Sequence, residues 1–115
     1  MSDENAKPAK LDPELVHVLR YTDTEQMRAA FRHALQSLVK IRTKEVIAIK
    51  PNLGSPLPAQ TGATTALWMI EEAVNYVRKR RGRPIICEAP SRIHSYEHVL
   101  EVTGAGELFD RLEVE

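Results

Sequence analysis

Polar side chains able to hold an anion are concentrated in two short stretches of the chain. The first, IAIKPNLGSPLPAQTGATT at residues 47–65, places Lys50 and Asn52 directly after an apolar run and ends at Thr64 and Thr65. Lysine supplies a compact positive charge, and asparagine offers both a donor and an acceptor. A helix beginning near the threonine pair would add backbone N–H groups and the positive end of its dipole. Phosphate or carboxylate would suit these groups.

The second stretch, CEAPSR at residues 87–92, contributes three further candidates. Glu88 could act as a base or as a metal-binding carboxylate, while Ser91 and Arg92 are candidate ligand-binding residues. Neither stretch has the Gly-Lys-Ser/Thr of a phosphate-binding loop or the Gly-x-Gly-x-x-Gly of a dinucleotide site, so nucleotide binding has no motif support. A structural alternative stays open, in which Lys50 points into water and a threonine merely caps its helix. Whether the chain is an enzyme also stays open.

His94 and His98 frame HSYEH, which reads as His-x-x-Glu-His, the inverted zinc-protease pattern. Two histidines four residues apart on one helix could hold zinc, with the glutamate between them as base. That pattern needs a third ligand well downstream, and little chain follows His98. The alternatives are a polar helix with two surface histidines, adventitious metal binding, and a zinc-dependent hydrolase.

A basic run, RKRRGR at residues 78–83, could grip the phosphates of a nucleic acid. Cations at the end of a helix also complement its dipole, so the run has a structural explanation. Sixteen Lys and Arg balance sixteen Asp and Glu, and aromatic residues make up only 5% of the chain. This composition argues against nucleic acid as the partner.

Strands are predicted at residues 15–19, 45–49 and 84–87, and helices after about residue 24, from about residue 64 to residue 81, and in one or two short segments between about residues 94 and 112. The order is β-α-β-α-β-α, which is typical of parallel βαβ units. The predicted fold class is therefore α/β, a Rossmann-like three-layer fragment with a small, mostly parallel sheet. The middle strand does not alternate with polar residues, so we expect both of its faces to be covered. Ligands of such sheets bind beyond the carboxyl ends of the strands, where both polar stretches would lie.

Length and composition limit the domain organisation. At 115 residues and 13.0 kDa the chain has room for one small domain, predicted at residues 14–115, after a flexible tail at residues 1–13. The single cysteine, Cys87, excludes an internal disulfide and an iron-sulfur cluster within this chain. No apolar run reaches the length of a membrane span or a signal peptide core, so we expect a cytoplasmic protein without a membrane partner.

The run VIAIKPNLGSPLPAQTGATTALWMIEEAVNYVRKRRGRPIICEAPS resembles the opening part of domain of unknown function family 362 (DUF362). In that family a hydrophobic strand runs into Lys-Pro-Asn, a Gly/Pro loop leads to a threonine pair before a helix, and the next strand ends in an acidic residue with Ser and Pro. The resemblance covers roughly residues 14–112. Lys50, Asn52, Thr64, Thr65 and Glu88 match this pattern, whereas the Gly-Asp that often occupies the third strand end is missing.

The resemblance names a family and implies no single activity. Family members are often joined to ferredoxin-like modules, which implies a redox setting for some of them. The family domain would be expected to continue beyond Glu115, so the resemblance implies an incomplete domain. Two functions remain open: a domain that binds a small anionic molecule or a cofactor of unknown identity, and a non-catalytic binding or assembly subunit completed by a partner chain or a second copy.

Overall fold

A computed structural model describes residues 9–89 and 93–115. The chain divides into two compact units, Met1–Lys40 and Ile41–Glu115. Ser91 and Arg92, two of the predicted ligand-binding residues, lie outside the described residues, as does most of the predicted tail.

The first unit is built around one amphipathic helix, α1, Thr24–Leu38. Asp23 caps its beginning, because the carboxylate accepts a hydrogen bond of 2.8 Å from the backbone N–H of Gln26. The prediction of a helix here is confirmed. No residue of α1 is buried, and Met27 and Leu38 of its apolar stripe remain 39% and 40% exposed.

The strand predicted at residues 15–19 is not formed. Asp12 instead organises a turn, since its carbonyl accepts from the backbone N–H of Leu15 and its carboxylate accepts from that of Glu14. Val16 and Val18 are 93% and 80% exposed. A strand needs a neighbouring strand to satisfy its backbone groups, and no described residue pairs with this segment. Apolar β-branched content predicted a strand that tertiary pairing does not support.

The second unit contains a two-stranded parallel sheet, with β1 at Val46–Ile49 and β2 at Arg83–Ile86. A short 3₁₀ turn at Ala59–Thr61 and the helix α2, Leu67–Lys79, connect the strands. Two short helices follow, α3 at Tyr96–Thr103 and α4 at Ala105–Leu112. The α/β class, the two later strands and the two short helical segments are thus confirmed.

The two faces of this sheet have different surroundings. Ile49 and Ile86 pack against a buried cluster contributed by α2 and α4. On the opposite face Val46 is 54% exposed and Ala48 is exposed as well. The prediction that both faces of β1 are covered is therefore wrong for the described residues of this unit. The helices of the unit pack on one face of the sheet only. A sheet of two strands has no strand order to compare with a Rossmann fold.

The core of the second unit consists of two apolar clusters. One contains Ile70 and Val74 of α2 together with Leu108 of α4. The other contains Leu53, from the loop after β1, together with Val99 and Ala105. Leu53 is only 2% exposed, so the loop that follows β1 is anchored in the core. Within the described ranges no helix is both long and apolar enough to cross a membrane.

The helix α2 ends two residues before its predicted end at residue 81. The helix ends at Lys79, and Arg81 rather than Gly82 takes the left-handed conformation, with φ of 62°. Gly82 is needed for a different reason. A Cβ there would come within 2.8 Å of Ile41 Cγ2 and 3.0 Å of Val77 Cγ1. The glycine thus permits close packing where the chain leaves α2 for β2.

Several arginines of the basic run make contacts within the protein. Arg78 donates hydrogen bonds to the backbone carbonyls of Leu112 and Glu113 at the end of α4. Arg83 forms an ion pair of 2.7 Å with Glu115, and Arg80 lies over the ring of Tyr76. These contacts support the structural explanation of the run: Arg78 does complement a helix end, although the helix is α4 and not its own.

Candidate functional site

The carboxylate of Glu88 is the centre of the candidate site. Its side chain is only 7% exposed, and its Oε2 accepts a hydrogen bond of 2.9 Å from the backbone N–H of Leu53. Its Oε1 accepts one of 2.8 Å from the backbone N–H of Ala89 and lies 3.9 Å from the Nζ of Lys50. Glu88 therefore ties the end of β2 to the loop after β1.

Parallel pairing of the strands explains why Lys50 and Glu88 meet. Lys50 comes directly after β1, and the ladder continues past the end of β2 through a 2.9 Å bond from Cys87 N–H to the Ile49 carbonyl. Neighbouring parallel strands end at the same edge, so the residues that follow them are brought together. The Lys50 side chain remains 71% exposed, whereas Glu88 is almost fully covered.

Asn52 links the loop to the chain before α2. Its backbone N–H donates to the hydroxyl of Thr65 at 2.8 Å, and the backbone N–H of Thr65 donates to the Asn52 carbonyl at 2.9 Å. The Asn52 side-chain oxygen also accepts from Gly54 N–H at 3.3 Å. Asn52 is itself exposed, on the same loop as Lys50. The structure therefore brings Asn52 and Thr65 together. Thr65 lies two residues before Leu67, the first residue of α2.

Neither predicted threonine caps α2. The helix begins at Leu67, and its N-cap residue is Ala66, which supplies no side-chain hydrogen bond. Thr64 is buried and its hydroxyl donates to the carbonyl of Leu57 at 2.8 Å, while the Thr65 hydroxyl accepts from Asn52. The alternative in which one of these threonines is a helix cap is therefore wrong. Both hydroxyls shape the loop that leads to the helix.

Tyr96, the first residue of α3, was not predicted as a site residue. Partial burial raises the pKa of its hydroxyl above the usual 10.0, and the negative charge of Glu88 raises this pKa further. The tyrosine therefore lies within electrostatic reach of the central carboxylate. No motif or spacing in the sequence indicates this electrostatic interaction.

The two histidines do not have the geometry of a zinc site. Because α3 begins at Tyr96 with Ser95 as its N-cap, His94 precedes the helix and does not share a helical face with His98. The backbone N–H of His98 donates to the Ser95 hydroxyl at 3.2 Å, as expected for a helix start. In the part of the chain that the structure describes, no three His, Cys, Asp or Glu side chains are grouped so that they could hold a metal ion.

A family model supports the resemblance noted from the sequence. The model described as "Domain of unknown function (DUF362)" matches residues 47–115, a shorter span than the expected 14–112. The match begins within β1 and lies entirely within the second unit. Comparison with curated proteins and with solved structures gave no match.

Proposed function

Because the chain belongs to the DUF362 family of domains of unknown function, we propose its function from the geometry of the site: it binds a small anionic molecule at the carboxyl ends of β1 and β2. The observation that carries the proposal is the position of Lys50. Its ammonium lies 3.9 Å from a buried carboxylate at the strand ends, yet its side chain is 71% exposed. A ligand can reach this cation from the solvent.

Two neighbouring groups support anion binding at Lys50. Asn52 is exposed on the same loop and carries a side-chain amide that can donate to an oxyanion. The loop is bonded through Asn52 and Thr65 to the segment before α2, a helix of 13 residues whose positive dipole end favours an anion. The ligand would therefore be held by Lys50, the Asn52 amide and this helix end.

Glu88 fits a positioning role better than the role of a base. Both of its oxygens accept backbone hydrogen bonds, and the side chain is nearly inaccessible to a ligand. A general base must lie within hydrogen-bond reach of the proton that it removes. We therefore propose binding, without assigning a reaction. Cys87 is the single cysteine among these 115 residues, so they do not by themselves supply several thiolates for a redox centre.

Thermal melts test the proposal, since a ligand that binds only the folded state raises the melting temperature. The wild type and Lys50→Ala are scanned against phosphate, small carboxylates and nucleotides. Lys79→Ala, which removes an exposed lysine at the end of α2, is the matched control. An anion should raise the midpoint of the wild type and of Lys79→Ala but not of Lys50→Ala. Equal shifts in all three proteins would contradict the proposal, and unfolding of Lys50→Ala would make the lysine structural.

A second function, assembly with another copy of the chain, is favoured by the uncovered face of the sheet. Val46 is 54% exposed on this face, and a groove beside it is lined by Val46, Arg83, Ile85, Ile86 and Glu115. Among the described residues β1 pairs with β2 alone, so the other edge of β1 has no neighbouring strand. Mass in solution, measured by light scattering for the wild type and Val46→Asp, tests this candidate. A dimer lost in Val46→Asp supports assembly, and a monomeric wild type removes self-association.

A further inference from the structure

We infer that Glu88 selects the charge of the ligand, so that the Lys50 site takes a singly charged carboxylate in preference to a doubly charged anion. This inference rests on the proposed function and makes the ligand class narrower. It depends on three features of the site. Glu88 is buried, Lys50 is exposed, and the described segments 50–54 and 87–89 contain no second cationic side chain.

The negative charge of Glu88 is fixed and poorly screened. Its side chain is 7% exposed, and hydrogen bonds from Leu53 N–H and Ala89 N–H hold its two oxygens in place. Charges that are removed from water interact through a lower effective dielectric and are screened less by salt than exposed charges are. A ligand that contacts Lys50 therefore also experiences the field of this carboxylate.

The negative charge of Glu88 offsets part of the attraction that Lys50 exerts on the ligand. Their charged atoms lie 3.9 Å apart. In the described segments 50–54 and 87–89, Lys50 is the one cationic side chain. The attraction of the pair for an anion is consequently weaker than that of an isolated lysine.

The charge of the ligand then decides whether this weakened attraction is sufficient. The free energy lost when an ion leaves water grows with the square of its charge, whereas its attraction to a fixed charge grows only in proportion. A doubly charged anion therefore needs a stronger positive field than a neutral pair supplies. A carboxylate has half this charge, and the amide of Asn52 can donate to one of its oxygens.

The inference is tested by titrating the full chain with sodium acetate and with sodium sulfate at constant ionic strength. Nuclear magnetic resonance follows the backbone amides of Leu53 and Ala89, because both donate to Glu88. The proteins are the wild type, Glu88→Gln and Lys50→Ala. Glu71→Gln is the matched control, since it removes a carboxylate that forms an ion pair of 3.3 Å with Arg111.

The wild type should bind acetate at least about threefold more tightly than sulfate. Glu88→Gln should bind sulfate at least about fivefold more tightly than the wild type does, because the charge of Lys50 is no longer offset. Glu71→Gln should behave like the wild type, and Lys50→Ala should show neither response.

Wild-type binding of sulfate as tight as, or tighter than, that of acetate would overturn the inference and leave the proposed function intact. Unchanged sulfate affinity in a folded Glu88→Gln would also overturn it. The proposed function fails as well if the wild type responds to neither anion, or if a folded Lys50→Ala responds as the wild type does. Should Glu88→Gln not fold, the comparison of the two anions in the wild type decides alone.

Discussion

The backbone N–H of Leu53 donates a 2.9 Å hydrogen bond to the carboxylate of Glu88, a residue 35 positions further along the chain. Leu53 places its side chain in a buried cluster with Val99 and Ala105. One residue thus joins the loop after β1 both to the core and to the end of β2. The exposed Lys50 precedes it by three positions, so the same contacts determine where the proposed ligand-binding cation lies.

Replacing Glu88 by Ala should destabilise the fold by about 1–3 kcal/mol, because the N–H groups of Leu53 and Ala89 lose their acceptor. The free energy of unfolding, obtained from urea titration, measures this effect. Glu101→Ala on the exposed side of α3 is the control and should change stability by no more than about 0.5 kcal/mol. Equal stability of the two variants would show that the carboxylate does not hold the loop.

Replacing Arg78 by Ala should loosen the end of α4, since Arg78 donates to the carbonyls of Leu112 and Glu113. The contact is exposed, so we expect a loss of only about 1 kcal/mol. Faster amide hydrogen exchange at Glu113 and Val114, whose N–H groups donate to carbonyls of α4, is the more sensitive readout. Lys79→Ala, one position further along, should leave that exchange unchanged.

Replacing Gly82 by Ala should destabilise the second unit by about 1–3 kcal/mol through overpacking. The new Cβ would lie 2.8 Å from Ile41 Cγ2 and 3.2 Å from the Glu45 carbonyl. Gly54→Ala offers a matched comparison, because its nearest neighbour would be the Asn52 side chain at 3.5 Å. A melting temperature lowered in the first variant and retained in the second is the expected result; similar melts would mean that the turn relaxes readily.

The hydroxyl of Tyr96 should titrate above pH 10.0, mainly because of burial and further because of Glu88. A raised folded-state pKa adds stability that is fully present below the unfolded value and is lost as the pH rises through the folded value. The difference in ultraviolet absorbance between the wild type and Tyr96→Phe measures the titration. Glu88→Gln should lower this pKa only part of the way. Titration at 10.0 in the wild type would place Tyr96 away from the carboxylate.

Local patterns in the sequence were sufficient for elements that are stabilised largely by their own residues. The first helix begins at Thr24, as expected, and the strands predicted at residues 45–49 and 84–87 form at Val46–Ile49 and Arg83–Ile86. The short helices after residue 94 also form as expected. Periodicity and capping are properties of neighbouring residues, and the sequence contains them directly.

Features that depend on distant partners were decided only by the tertiary structure. Residues 15–19 have strand-like composition but find no neighbouring strand among the described residues, and the face of the sheet that carries Val46 remains uncovered. Thr65 resembles a helix cap in the sequence, yet its hydroxyl binds Asn52. The sequence by itself determined that a lysine and a glutamate would follow two apolar runs. Only parallel pairing of β1 with β2 made Lys50 and Glu88 neighbours, because contacts between distant residues depend on how the whole unit packs.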